Sequence, residues 1–481
     1  MSDVALVISR VQYLNTVSPS ASRRRARPII SRIPTAQEDR LPHLSTTRRV
    51  AWALTVVALL YSAVHFAQSG VAYPLAKPNL GKFDEETPAL RTFLQTGEPV
   101  RVDPSIHSVQ YGAAFFFVMH PLIRVVRDER QLAAWLYGLQ IGSLAFAFVF
   151  TWATLRQLTA PRDRLLIAAW LAVLWLNFAP IYMTIAIKSV ESWELLLLSI
   201  ALYAYVRGRL WSMGFALAAA ALIKLLPLMF FYYLLVTNRR AFTRAVAALV
   251  LMLAIGHAIY GPGMGARYLP DMARRAVGAS YGLLWHENLS LKAAIAKLFG
   301  RLGTPQLDGG HSLRITNTQL RAASMLGDAA VALTVALLTW TWFRRGTRTR
   351  DLLIWEWSLV SVVMLLVSPN TTFEYATLAL GAMSYAVVRI VGSESPARRV
   401  GAWDFVAAML LLGVLLPRQV LNRLTFVDTL NQLTGYTHLT ASEAYQFYCF
   451  PLFGLLFLTA SLWRLRPLDV QAATVSGVTA V

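Results

Sequence analysis

A single cysteine, Cys449, stands among 481 residues. That excludes a disulfide framework within the chain, and no Cys/His cluster has the spacing of a zinc site. Charge is scarce too: 15% of the residues are Asp, Glu, Lys or Arg against 56% hydrophobic, where a soluble domain carries about 25% charged residues. The charge present has mostly one sign, 45 Lys and Arg against 25 Asp and Glu. The basic residues occupy short segments between apolar runs and form no single patch with interleaved aromatics, so the excess does not read as a nucleic-acid surface. No cleaved secretory leader is recognisable, because the first apolar run begins near residue 50 and many more follow it.

What the chain has in abundance is apolar runs of about 17 to 25 residues, the length an α-helix needs to cross a hydrocarbon core. The positive-inside rule orients them. Residues 1–49 hold nine arginines against Asp3, Glu38 and Asp39, which marks them as a basic, disordered cytoplasmic segment. Alternating inward and outward from there gives an all-α polytopic membrane protein of about twelve helical passes with both ends inside. The long loops, 69–130, 262–324 and 417–444, all fall outside. The stretch SVQYGAAFFFVMHPLI (108–123) reads as a helix along the outer interface, residues 165–183 as one span, and residues 396–466 as C-terminal helices followed by a cytoplasmic tail, 467–481.

One stretch tests the scheme. A single span over LWSMGFALAAAALIKLLPLMFFYYLLVTNRR (210–240) would place TNRR outside, against the charge rule. Two short helices broken at Lys224 to Pro227 place it inside, and Pro227 removes a backbone donor where the break is needed. A break at that depth requires surrounding protein or a water-filled cavity, so Lys224 is expected to face one.

No soluble segment on the cytoplasmic side is long enough to carry chemistry, so an active site would lie outside or at the outer membrane surface. No ATP or nucleotide sugar is available there, which points to a donor already activated on a lipid carrier. The order of several segments resembles glycosyltransferase family 87, the polyprenyl-phosphate-mannose-dependent enzymes of the C-type glycosyltransferase superfamily (GT-C). The segments are Phe83-Asp84 through Gly97 in the first outer loop, AAAALIKLLP (218–227), ENLSLKAAIAKLFGR (287–301) and VSPNTTFEY (367–375). The similarity covers roughly residues 50–395, the GT-C-like catalytic module with outer loops 69–130 and 262–324. Two segments depart from the family: KSVESWE (188–194) stands where Gly-Gln-x-Asn is usual, and Thr372, Phe373 and Glu374 follow Ser-Pro in place of an aromatic and a histidine.

The resemblance implies an inverting hexosyltransferase of the cytoplasmic membrane, its site facing outside or the periplasm, that moves a sugar, mannose in the first instance, from a polyprenyl phosphate to a lipid or glycan acceptor. Asp84 would be the general base. Lys224, His286, Lys292 and Arg301 would stabilise the departing phosphate, Asn288 and Ser290 would orient sugar or phosphate, and Glu191 and Glu374 would contact substrate. No metal and no cofactor beyond the lipid-linked donor is implied, and no nucleic acid. Each residue also has a plainer reading. FDEETPALRTFL (83–94) equally starts a helix with its acids at the positive end, Lys224 equally snorkels from a helix end, His286 equally packs on Trp285, and Glu191 equally caps a helix. Two other functions compete: a transporter or lipid flippase, for which no second broken helix is legible in a corresponding half, and a polymerase or ligase of lipid-linked glycans, which would rely on arginines and a histidine.

Overall fold

A computed structural model describes residues 41–72, 80–83, 86–96, 111–271, 287–305, 311–343, 348–392, 396–413 and 445–467. Asp84 and His286 lie outside the described residues, as do the side chain of Arg301, residues 1–40 of the basic segment, the loop 417–444 and residues 468–481 of the tail. The chain divides into two compact units, Met1–Ala51 and Trp52–Val481, and the second holds every helix after the start of the first one.

Helices dominate because long apolar runs are punctuated by good caps. Following α1 (Leu41–Phe66), α2 (Glu86–Thr96) and α3 (Ala113–Val125) comes α4 (Glu129–Leu155), started by Asp128, whose carboxylate accepts the Gln131 N–H at 2.8 Å. Next come α5 (Arg164–Leu176), α6 (Ala179–Ala186), α7 (Glu191–Val206), α8 (Leu210–Ile223), α9 (Leu228–Thr237) and α10 (Arg239–Tyr260). Ser290 caps α11 (Leu291–Phe299) and Thr349 caps α13 (Arg350–Val367), each accepting the N–H three residues on. Between them lies α12 (Asn317–Phe343), and α14 (Leu380–Gly392), α15 (Pro396–Leu411) and α16 (Phe450–Arg464) complete the described helices. Among the described residues the exception to helix is a short antiparallel pair, β1 (Arg301–Pro305) with β2 (His311–Arg314), in which Arg301 faces Arg314.

Four helices are long and apolar enough to cross a membrane, Arg49–Ala72, Glu129–Leu158, Arg239–Tyr260 and Asn317–Phe343, and the bent pair Pro161–Leu176 and Ala179–Ala186 makes up to five. The chain is an all-α membrane protein. The stretch expected as a single span, 165–183, is a bent pair: α5 and α6 meet at 52°, the geometry of a broken span or of a re-entrant loop. Asn177 ends α5, its side-chain amide donating to Val173 O at 2.7 Å and Ser62 Oγ at 2.6 Å, and Pro180 opens α6 at a position where its missing N–H costs nothing.

The core is centred on α13, buried from Ile354 to Leu366 without interruption. The helix α8 presents Ala216, Ala218, Ala220 and Ala221 as a buried small-residue surface to α7 and α10, the composition that lets helix backbones approach in lipid. In α3, Ala113, Phe115, Phe116 and Met119 point into the bundle, so the helix expected along the interface is also part of the core. Gly112, just ahead of it, is where the chain touches the end of α8: an added Cβ would come within 2.3 Å of Leu222 O.

Candidate functional site

The break between α8 and α9 falls at Lys224 to Pro227. Ile223 is the last helical residue of α8, Lys224 turns extended at φ −142°, and Pro227 precedes the first residue of α9. Instead of following the helix surface, the Lys224 side chain enters the protein. Its ammonium pairs with Glu191 Oε1 and lies 3.8 Å from the centre of the Tyr375 ring and 5.8 Å from that of Tyr111. The ion pair is thus flanked by two aromatic faces, which favour a desolvated cation.

Glu191 reaches Lys224 because a tight turn separates α6 from α7. The Ser189 N–H donates to Thr184 O at 2.9 Å, Gln140 Nε2 donates to Ser189 O at 3.1 Å, and Lys188 sits in the left-handed region at φ 49°. That conformation costs a non-glycine residue on the order of 1 kcal/mol and collects at functional sites. From Lys188 through Glu194 every residue is buried, including Lys188, Ser189, Glu191, Ser192 and Glu194. KSVESWE is therefore interior lining. Two acids in the first turn of α7 also face the positive end of its dipole.

Several polar atoms of this lining have no hydrogen-bond partner among the described residues: Ser189 Oγ, Ser192 Oγ, Trp193 Nε1, Glu191 Oε2 and both carboxylate oxygens of Glu194. Buried polar groups are normally paired, and each that is not costs about 1–3 kcal/mol. Such a concentration makes this segment the candidate site.

The segment leading to Asp84 arrives at the same place. Gly81, at φ +60°, packs so closely on the turn before α7 that an added Cβ would lie 2.2 Å from Ile187 O. Phe83 is wholly buried with its ring centre 5.8 Å from that of Trp193 and 5.4 Å from that of Phe115. Phe83 is the residue before Asp84.

Of the other residues singled out in the sequence, Glu374 is buried in the 3₁₀ turn Phe373–Ala379 beside Tyr375, and its backbone carbonyl accepts from Thr184 Oγ1 at 3.4 Å. Asn288 joins two distant segments. Its Oδ1 accepts the N–H groups of Ser290 at 3.0 Å and Thr371 at 3.1 Å, and its Nδ2 donates to Pro369 O at 3.0 Å. Ser290 Oγ is engaged as the cap of α11, accepting from Ala293 N at 3.1 Å. Asn288 and Ser290 thus hold backbone. Lys292 pairs with Asp328 at 2.8 Å on the contact between α11 and α12. The residues missed by sequence reasoning are Ser189, Ser192 and Trp193, whose signal was their place in a polar heptapeptide between two apolar helices. Among the described residues no group of three His, Cys, Asp or Glu is placed to hold a metal ion.

The model of glycosyltransferase family 87 matches residues 110–369, a span that contains the turn before α7, the Lys224 break and Asn288. No curated protein matches the chain.

Proposed function

The chain belongs to glycosyltransferase family 87, and from that premise we propose that it transfers a hexose, mannose in the first instance, from a polyprenyl phosphate to a lipid or glycan acceptor at the outer face of the cytoplasmic membrane. The observation that carries this reading is the buried Lys224–Glu191 pair with its lining of unpaired polar atoms, inside the residues the family matches. A lipid-linked donor needs an apolar path for its chain beside a polar site for its head. A groove of about 590 Å³ between α3, α7, α8 and α10, lined by Phe117, Leu197, Ile200, Phe215, Ala219 and Ile259 among others, supplies such a path. Leu197 is one turn from Glu194, and Ala219 is within two turns of Lys224.

In this mechanism the acceptor oxygen attacks the anomeric carbon while the bond from that carbon to the phosphate oxygen breaks, and configuration inverts. The acceptor proton passes to the Asp84 carboxylate and the bonding electrons leave with the phosphate. A phosphate is already a weak base, so the leaving group asks for positive charge and not for a proton. Lys224, with Lys188 one turn before Glu191, offers that charge. Phe83, packed on Trp193, supports the placement of the Asp84 loop at this site. Asn288 would act by holding the Ser368–Thr371 turn, and Glu374 and Tyr375 through the wall they form. The full arrangement of about twelve passes, with loops 69–130 and 262–324 outside, belongs to this proposal.

The test is sugar transfer in membranes holding equal amounts of wild-type protein or Asp84→Asn, supplied with radiolabelled polyprenyl-phosphate mannose. Transfer by the wild type that drops at least about a hundredfold in the variant is expected. Unchanged transfer would remove Asp84 as the base.

One observation favours a transporter or flippase: two interrupted helices, at Asn177 and at Lys224, where the sequence showed only the second. Both lie in the same half of the chain, however, and the far ends of α9 and α13 are tied together by a closed ionic network described below. Vesicles that move polyprenyl-phosphate mannose across the bilayer without transferring the sugar would favour that reading.

A further inference from the structure

Glu194 has no role in the mechanism above, yet among the described residues it is a fully buried carboxyl group with both oxygens unpaired. It stands three residues after Glu191 on α7, which puts both acids on one helix face about 5–6 Å apart at Cβ. It lies within electrostatic reach of both Glu191 and Lys224. A carboxyl group placed for the fold alone would have closed its hydrogen bonds, because leaving both oxygens bare is costly in a dry interior.

The open atoms of the same buried segment are of both kinds. Ser189 Oγ and Ser192 Oγ can donate or accept, Trp193 Nε1 only donates, and Glu191 Oε2 and the Glu194 oxygens accept. A carboxylate with two open oxygens takes two adjacent hydroxyl donors at once, the pattern that neighbouring hydroxyls of a sugar ring present. Alternating donors and acceptors in the flanking serines suit the remaining oxygens. A phosphate beside Glu194 would meet a carboxyl with no cation paired to it, whereas beside Lys224 it meets the cation of the Lys224–Glu191 pair. A phosphate at Lys224 with its sugar directed to Glu194 satisfies both ends of one donor molecule.

We propose that Glu194 is a specificity-determining residue that accepts hydrogen bonds from two neighbouring hydroxyls of the donor hexose. This rests on the glycosyltransferase reading and adds which part of the substrate the departing KSVESWE segment recognises. Asn or Gln at this place offers one acceptor oxygen and an N–H donor, whereas a carboxylate offers a separate acceptor oxygen to each hydroxyl.

The experiment uses the full-length protein in detergent with farnesyl-phosphate mannose and its 2-, 3-, 4- and 6-deoxy analogues as probes, comparing wild type, Glu194→Gln and Glu194→Ala of matched thermal stability. For the wild type, removing either of two adjacent hydroxyls is expected to weaken binding and lower kcat/KM by at least about tenfold. In Glu194→Ala the parent donor loses at least as much and the same deoxy analogues cost no more than about twofold further, with Glu194→Gln between. Equal deoxy penalties in wild type and Glu194→Ala would overturn the proposal, as would a wild type that binds none of the probes. Binding that follows this pattern with no transfer to any acceptor would keep the Glu194 assignment and overturn the transferase reading, so the two fail separately.

Discussion

Two buried ion pairs sit at opposite ends of α9 and α13, and they are built differently. At the far end, Arg348 Nε meets Glu356 Oε2 at 2.9 Å, Arg348 Nη1 and Nη2 donate to Thr237 O and Trp342 O at 3.3 and 3.1 Å, and Tyr233 OH donates to Glu356 Oε2 at 2.9 Å. Each nitrogen of that guanidinium has an acceptor. At the near end Lys224 pairs with Glu191, but Glu191 Oε2, Glu194 and two serines remain open. A closed network specifies a fold; an open one of the same burial waits for a ligand. From Glu356 to the end of α13 at Val367 is 11 residues, roughly 17 Å, so the closed pair and the open one are set apart along the helix.

The largest effects should come from breaking the sealed end. Replacing Arg348 by Met strands Glu356, which is wholly buried, and should destabilise the protein by about 3–5 kcal/mol. The readout is the melting temperature in detergent. Arg348→Met combined with Glu356→Leu should recover most of that loss, because an apolar pair replaces a buried ionic one with little net penalty. If the double variant melts as low as the single one, the network does more than satisfy its own charges.

Removing both charges at the open end should likewise spare stability but not activity. Lys224→Met with Glu191→Gln is expected to bring stability back to within about 1 kcal/mol of wild type, while sugar transfer stays down at least about a hundredfold, equivalent to ~2.7 kcal/mol of transition-state stabilisation. Recovery of transfer together with stability would make the two pairs alike and dissolve the contrast.

How far the sequence anticipates this contrast depends on the range of the interactions involved. The break at Lys224 to Pro227 was legible because proline and a charge inside an apolar run are local signals. The bend at Asn177 had local signals too, an asparagine followed three residues later by Pro180, but unbroken hydropathy across 165–183 concealed them. The pairings themselves were not legible. Glu191 and Lys224 are 33 positions apart and Asn288 and Thr371 are 83, and nothing in composition selects one partner over another. Arg348 lay in RRGTRTRD, which the charge rule treats as a loop in water, yet this one arginine turns inward to Glu356. A rule that counts charges cannot tell which of them is buried.

Smaller effects grade the comparison further. Asn288→Ala leaves two N–H groups and the Pro369 carbonyl without their partner, and should destabilise by about 2–3 kcal/mol. Asn288→Asp keeps both acceptor contacts but sets a carboxylate oxygen against the Pro369 carbonyl in a fully buried place, so a loss at least as large as that of Asn288→Ala is expected. The third ion pair, Lys292–Asp328, has the same atoms at 2.8 Å, but the aspartate side chain is 65% exposed. Water and salt screen it, and both side chains are free to leave. Lys292→Ala should therefore shift stability by less than about 1 kcal/mol in thermal melts, with the shift shrinking as salt is raised. A loss of several kcal/mol there would mean that burial is not what separates the three pairs, and the contrast between sealed and open ends would need another cause.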